Sequence, residues 1–169
     1  MKTYVITLSR NFPAKHPRKG EPTNFDTQLL NAVLSAHNMS IGFPQVGMKL
    51  HTIRGNYELW SKRFEQIEAG NAALSIRCWS GKPYHSKQME ICKLTKDDGI
   101  GIQKMEFLAF QELYRKDAGI WIAGNVLPID GREQIAINDG LILQDWDDWL
   151  KPFDLSKPLA IIHFTKFRY

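Results

Sequence analysis

Apolar residues recur at two spacings along this chain, and the switch between them separates helices from strands. In residues 57–69, Trp60, Phe64 and Ile67 return every three or four positions, which lays one apolar stripe along a helix. Asn56 stands where an N-cap is needed, and Gly70 supplies the stop. Leu29, Leu30, Val33 and Leu34 show the same spacing and predict a helix over about 27–37, capped by Asp26. From residue 72 the spacing becomes two. AALSIRCW at 72–79 and the segment 86–94 read as strands joined by a GKPY turn, and 100–109 as a further strand. TYVITLS at 3–9 opens the chain as a strand, and LAIIHFTKFRY at 159–169 closes it as a long one. Between them, 134–138 predicts a helical turn ending near Gly140. Residues 144–153 predict a short helix with Trp146, Trp149 and Leu150 inward.

The remaining segments connect. Residues 10–25 hold three of the eight prolines and form a loop, and 38–48, with Gly42, Pro44 and Gly47, is irregular. Gly119, Gly124, Pro128 and Gly131 break 110–133 into short pieces, which read as an insertion. Short strands with two or three helices, and no regular βαβ alternation, predict an α+β fold. Its expected form is a small mixed β-barrel with the 27–37 and 57–69 helices packed outside it, as one domain over 1–169.

Composition changes this picture little, and charge distribution changes it more. The chain has 169 residues, 43% hydrophobic and 24% charged, which suits one globular domain and excludes disordered and fibrous classes. The longest apolar runs are strand-sized, so no membrane span is expected. The start, MKTYVITLSR, lacks the form of a signal peptide. Cys78 and Cys92 lie in apolar strands and read as reduced thiols of a cytoplasmic protein. The net charge of +4 is unevenly spread. Residues 1–63, which include the basic N-terminal strand and loop of 1–25, carry nine Lys/Arg against three Asp/Glu, whereas 64–169 carry thirteen against fifteen. Arg10, Lys15, Arg18 and Lys19 fall together and make candidate contacts for the phosphates of a nucleic acid, with a solvated basic loop as the alternative.

The candidate chemistry concentrates in KLHTIR at 49–54. A threonine hydroxyl becomes a nucleophile only beside a base, and a lysine is that base only when burial or a neighbouring cation depresses its pKa. Lys49, Thr52 and Arg54 supply these three parts. On one extended strand, however, Lys49 and Thr52 would face opposite ways, three steps being odd. A Lys49–Thr52 dyad therefore requires Lys49 to precede the strand, in a turn set by Gly47, which the sequence permits but does not demand. The plainer readings are an ordinary strand threonine at Thr52, a surface ion pair at Arg54 and a structural His51. Trp79 and Tyr84 flank the SGKPY turn and are either base-stacking aromatics or core. Asp139 before Gly140 is also what a helix end carries. The DWDD run at 145–148 reads as a solvated acidic face. No dinucleotide or phosphate-loop motif is present, and five scattered histidines call for no metal, so no cofactor is expected.

Taken in order, K-x-x-T-I-R (Lys49, Thr52, Ile53, Arg54), A-x-x-D-G-L (Ala136, Asp139, Gly140, Leu141) and the closing IIHFT resemble the ASCH family of the PUA-like superfamily, over roughly 25–169. The resemblance implies a PUA-like β-barrel whose cleft, lined by the first motif, binds RNA or a nucleotide-like ligand. It also implies, from those members that are amidohydrolases, removal of an acyl group from an acetylated cytidine. By position, Lys49, Thr52 and Asp139 would carry that catalysis. The hydrolases place Glu where this chain has Asp139, one methylene shorter. Two functional classes follow. One is a binding module for RNA or a nucleotide, with Lys49, Thr52, Arg54, Trp79 and Tyr84 as ligand contacts. The other is the hydrolase. A protein-interaction domain is the third alternative.

Overall fold

The computed structural model of the chain describes residues 1–38, 47–108, 119–128 and 131–169. Most of the irregular stretch 38–48, and the beginning of the 110–133 segment, lie outside them.

The strands form two sheets. In the first, β1 (Lys2–Leu8) runs parallel to β3 (Ala72–Trp79), which pairs antiparallel with β4 (Gln88–Leu94). In the second, all antiparallel, the order is β2 (His51–Arg54), β8 (Leu159–His163), β5 (Gly101–Leu108), β6 (Gly119–Ile122) and β7 (Asn125–Val126). The α+β class expected from the pattern is the class observed. Among the described residues no strand pair joins the two sheets. The described part of 110–133 is a hairpin, β6–β7, laid on β5, followed by residues 131–133, which open the next helix.

Helix α2 (Tyr57–Glu68) ties the sheets together, packing on β3 of one and on β5 and β8 of the other. Trp60, Phe64 and Ile67 are its buried residues, and Asn56 caps it, the Oδ1 accepting from the Leu59 N–H at 3.1 Å. The apolar side chains from both sheets and from α2 make one core cluster, with Leu74, Ile76, Met105 and Ile161 fully buried at its centre.

Helix α1 (Phe25–Asn38) departs from the expected face. Its first turn is at Phe25, so Asp26 sits inside the helix rather than capping it. With Phe25 included, the buried stripe is Phe25, Leu29 and Ala32, with Val33 packed at its edge, while Leu30 and Leu34 are exposed. Placing the start two residues late left Phe25 out of the stripe and rotated the expected face.

Three other elements end differently from expectation. β4 begins two residues late because the Ser86 hydroxyl closes the preceding turn, accepting from the Gly81 N–H and donating to the Lys82 carbonyl. β8 stops at His163 and does not run to 169. The Thr165 hydroxyl accepts the Phe167 N–H, and Arg168 donates to the Thr165 and Gly99 carbonyls, which turns the chain. The DWDD run is not a solvated face. In α4 (Leu143–Leu150), Asp145 and Asp148 are buried beside Trp146, and they are paired with Arg18 and Lys151 respectively.

Helix α3 (Gly131–Asn138) positions the second motif. Its end is a Schellman closure: the Gly140 N–H donates to the Ile137 carbonyl and the Leu141 N–H to that of Ala136. Gly140 has φ +80°, and a Cβ there would stand 2.0 Å from Gln28 Oε1 and 3.5 Å from Lys49 Cβ. A-x-x-D-G-L is thus a helix terminus that sets Asp139 at its last turn.

Candidate functional site

Lys49 precedes β2, just after Gly47 with its φ of +93°, so its side chain is free of the strand's alternation. The Lys49 N–H donates to the Gln28 carbonyl and the Leu50 N–H to that of Asn138, which draws the segment against α1 and the end of α3. From there Lys49 Nζ donates to the backbone carbonyl of Asp139 and, at 2.5 Å, to its Oδ1. A cation at this helix end also meets the negative pole of the helix. The Nζ lies 4.0 Å from the Phe25 ring centroid. Lys49 and Asp139 are 1% and 4% exposed, so the pair is withdrawn from water.

Withdrawal shifts both groups. Burial lowers the Lys49 pKa from the ordinary lysine value, Asp139 works against that, and the Arg54 charge adds to it. Burial likewise raises the Asp139 pKa, opposed by Lys49 and Arg54. Each shift moves the couple toward a neutral amine beside a neutral acid, the form in which a lysine can accept a proton.

A cleft of about 70 Å³ opens on this pair. Lys49, Thr52, Arg54 and Asp139 all line it, with Thr7, Ser9 and Trp149 on its other walls. Thr52 lies on β2 opposite Ile162, and among the described residues its hydroxyl makes no hydrogen bond. Arg54 is half-buried, and one arm of its guanidinium donates to the Thr7 carbonyl at 2.9 Å, fixing it at the end of β1. The Lys49, Thr52 and Asp139 triple and Arg54 therefore converge on one concave space.

Trp79 and Tyr84 stand elsewhere. Their rings pack against each other at 5.3 Å, with Tyr84 exposed and Trp79 half-buried at the end of β3. Trp79 lines a larger groove of about 560 Å³, with Arg10, Phe12, Lys19 and Lys82, and Ser9 lines both this groove and the cleft. The basic loop that walls this groove is built, not loose. The Phe12 N–H donates to the Glu21 carbonyl and the Gly20 N–H to that of Phe12. His16 is buried against Phe12, with ring centroids 4.4 Å apart. Arg18 is occupied by Glu21 at 2.7 Å and Asp145 at 2.5 Å, whereas Lys15 and Lys19 are exposed. Arg10 lies 3.8 Å from Asp26. Among the described residues no group of three His, Cys, Asp or Glu side chains is placed to hold a metal ion.

Behind the cleft lies a buried polar cluster that sequence reasoning missed: His51, Asn138, His163 and Tyr169. The Tyr169 hydroxyl stands 2.7 Å from His51 Nε2 and accepts from Asn138 Nδ2 at 2.9 Å. The signal was faint, because His51 and His163 are ordinary strand positions that meet only through the β2–β8 register. Burial holds His163 down to about 3, and puts His51 well below the usual histidine value. Below the unfolded pKa of about 6.5 the unfolded chain takes up protons that the folded histidines refuse. Stability should therefore fall as pH drops from about 6.5 toward 3, and be fully present above that window. At about 1.4 kcal/mol per unit, His163 alone should remove about 2–3 kcal/mol by pH 4.5. Urea midpoints measured at pH 7 and at pH 4.5 check this.

No family model, curated protein or solved structure matches the chain.

Proposed function

We propose that the chain is a small amidohydrolase on an ASCH-like, PUA-type barrel frame, acting on an acylated cytidine-type nucleoside or nucleotide. The observation that carries this is the unbonded Thr52 hydroxyl opening into the cleft closed by the buried Lys49–Asp139 pair. The resemblance, which rests on the motif residues of this chain, supplies the substrate class.

The parts fit an acyl transfer. Thr52 Oγ attacks the acyl carbonyl as Lys49 takes its proton, and the new C–O bond makes a tetrahedral oxyanion facing Arg54. The C–N bond then breaks, and the Lys49–Asp139 couple returns the proton to the leaving nitrogen. Water next attacks the Thr52 ester by the same route, releasing the acid and restoring the hydroxyl. A cleft of about 70 Å³ holds a short acyl group, not a nucleoside. The leaving base and sugar extend past Ser9 into the larger groove. The free thiols Cys78 and Cys92 fit the cytoplasmic setting of this reading. No helix of the described residues is long and apolar enough to cross a membrane. Incubating the protein with N4-acetylcytidine and following cytidine release by chromatography tests the proposal; no release at any pH between 6 and 10 contradicts it.

The groove favours a second reading, that of a binding module for RNA or a nucleotide. Exposed Arg10, Lys19 and Lys82 beside Trp79 pair phosphate-binding cations with a stacking surface. Replacing Lys19 and Lys82 by Ala should weaken binding of a short single-stranded RNA and flatten its dependence on salt, each lost phosphate contact removing about 0.7 from the log–log slope. Fluorescence anisotropy across a salt series reads both. An unchanged slope would take the groove out of phosphate binding.

A further inference from the structure

His51 follows Lys49 by two residues and precedes Thr52, yet it faces away from the cleft, into a polar cluster in which His51, Asn138 and His163 are buried and Tyr169 half-buried. The hydrogen bonds there run in one direction. Gln134 Nε2 donates to Asn138 Oδ1 at 2.9 Å, which orients the amide so that Asn138 Nδ2 donates to the Tyr169 hydroxyl. That hydroxyl, already accepting, has its own proton left to give, and His51 Nε2 is 2.7 Å away. In the arrangement that uses this proton, Nε2 is the acceptor and the proton of the neutral ring sits on Nδ1. Nδ1 has no hydrogen-bond partner, and it stands 4.0 Å from Asp139 Oδ1, the oxygen that Lys49 holds.

We infer that His51 is a positioning residue for Asp139: locked in its Nδ1–H form by the Gln134–Asn138–Tyr169 chain, it presents a second donor to the carboxyl group while Lys49 exchanges protons with Thr52. This role rests on the hydrolase reading. The gap is about 1 Å beyond hydrogen-bond reach, and such bonds commonly tighten only when substrate is bound. Without the donor, Asp139 Oδ1 has only Lys49 to hold it, and Lys49 is the group that must change its protonation.

The tautomer can be read without substrate, from the ring ¹⁵N shifts of His51 in the intact protein. The expected result is the Nδ1–H form in the wild type and a change to Nε2–H in Tyr169→Phe, with kcat for N4-acetylcytidine lowered at least tenfold and KM little changed. His51→Asn, whose amide N–H replaces the Nδ1 donor, should retain more activity than His51→Gln, whose amide reaches toward Tyr169 instead. An active wild type with His51 in the Nε2–H form would overturn the inference alone. So would a Tyr169→Phe variant that changes tautomer and keeps its kcat. A wild type with no turnover overturns the hydrolase reading, and this role falls with it.

Discussion

Lys49→Met is expected to lose about 3–5 kcal/mol of stability, because it leaves the Asp139 carboxyl buried without its cation. Methionine nearly matches the lysine stem, so the effect is electrostatic rather than a cavity. The carboxyl also loses a partner at a helix end that already repels negative charge. The double variant Lys49→Met with Asp139→Asn should recover much of the loss, since a neutral amide in place of the carboxylate avoids an unpaired buried charge. Denaturant unfolding of the wild type, Lys49→Met, Asp139→Asn and the double variant forms a cycle whose coupling term measures the pair. Equal losses in single and double would mean that the pair contributes packing and not charge.

Thr52→Val should act in the opposite way, on turnover and not on stability. The two side chains have the same shape, and the hydroxyl has no protein partner to lose among the described residues, so the stability change should stay within about 1 kcal/mol. Turnover of N4-acetylcytidine should fall by about a thousandfold or more, since removing the nucleophile leaves only binding and oxyanion contacts to assist. A variant that keeps its rate would make Thr52 an ordinary strand residue. The pair of variants separates roles that one substitution would confuse: in the proposed reaction Lys49 serves fold and chemistry together, Thr52 chemistry alone.

How far the site was legible follows from which signals are local. Helix α2 could be read whole, stripe, cap and stop, because each lies within its own segment. The break that lets Lys49 and Thr52 line one cleft was legible only as a condition: the odd spacing required it for a dyad, and Gly47 permitted it. Asp139 illustrates two readings that coexist: its Gly140 does end a helix, and that ending aims the carboxyl at Lys49. What could not be read depends on contacts distant in the chain. His51 meets Tyr169 across 118 residues, and Arg18 is drawn to Asp145 across 127. Neither pairing has a spacing that would reveal it. Trp79 and Tyr84 were grouped with the first motif, although the β3–β4 hairpin carries Trp79 to the neighbouring groove and leaves Tyr84 exposed against it. The acidic run at 145–148 misled because burial was judged from charge alone, without the cations that the N-terminal loop and Lys151 bring to it.

The central claim is that Thr52 carries the acyl group, and mass spectrometry of acid-quenched reactions tests it most directly. Wild-type protein is mixed with excess N4-acetylcytidine, quenched at successive times, and digested. The account predicts a burst of cytidine release, with one acetyl group on the peptide that contains Thr52 and none on it in Thr52→Val. Cytidine released while the wild-type Thr52 peptide stays unmodified, or no cytidine released at all, would contradict it.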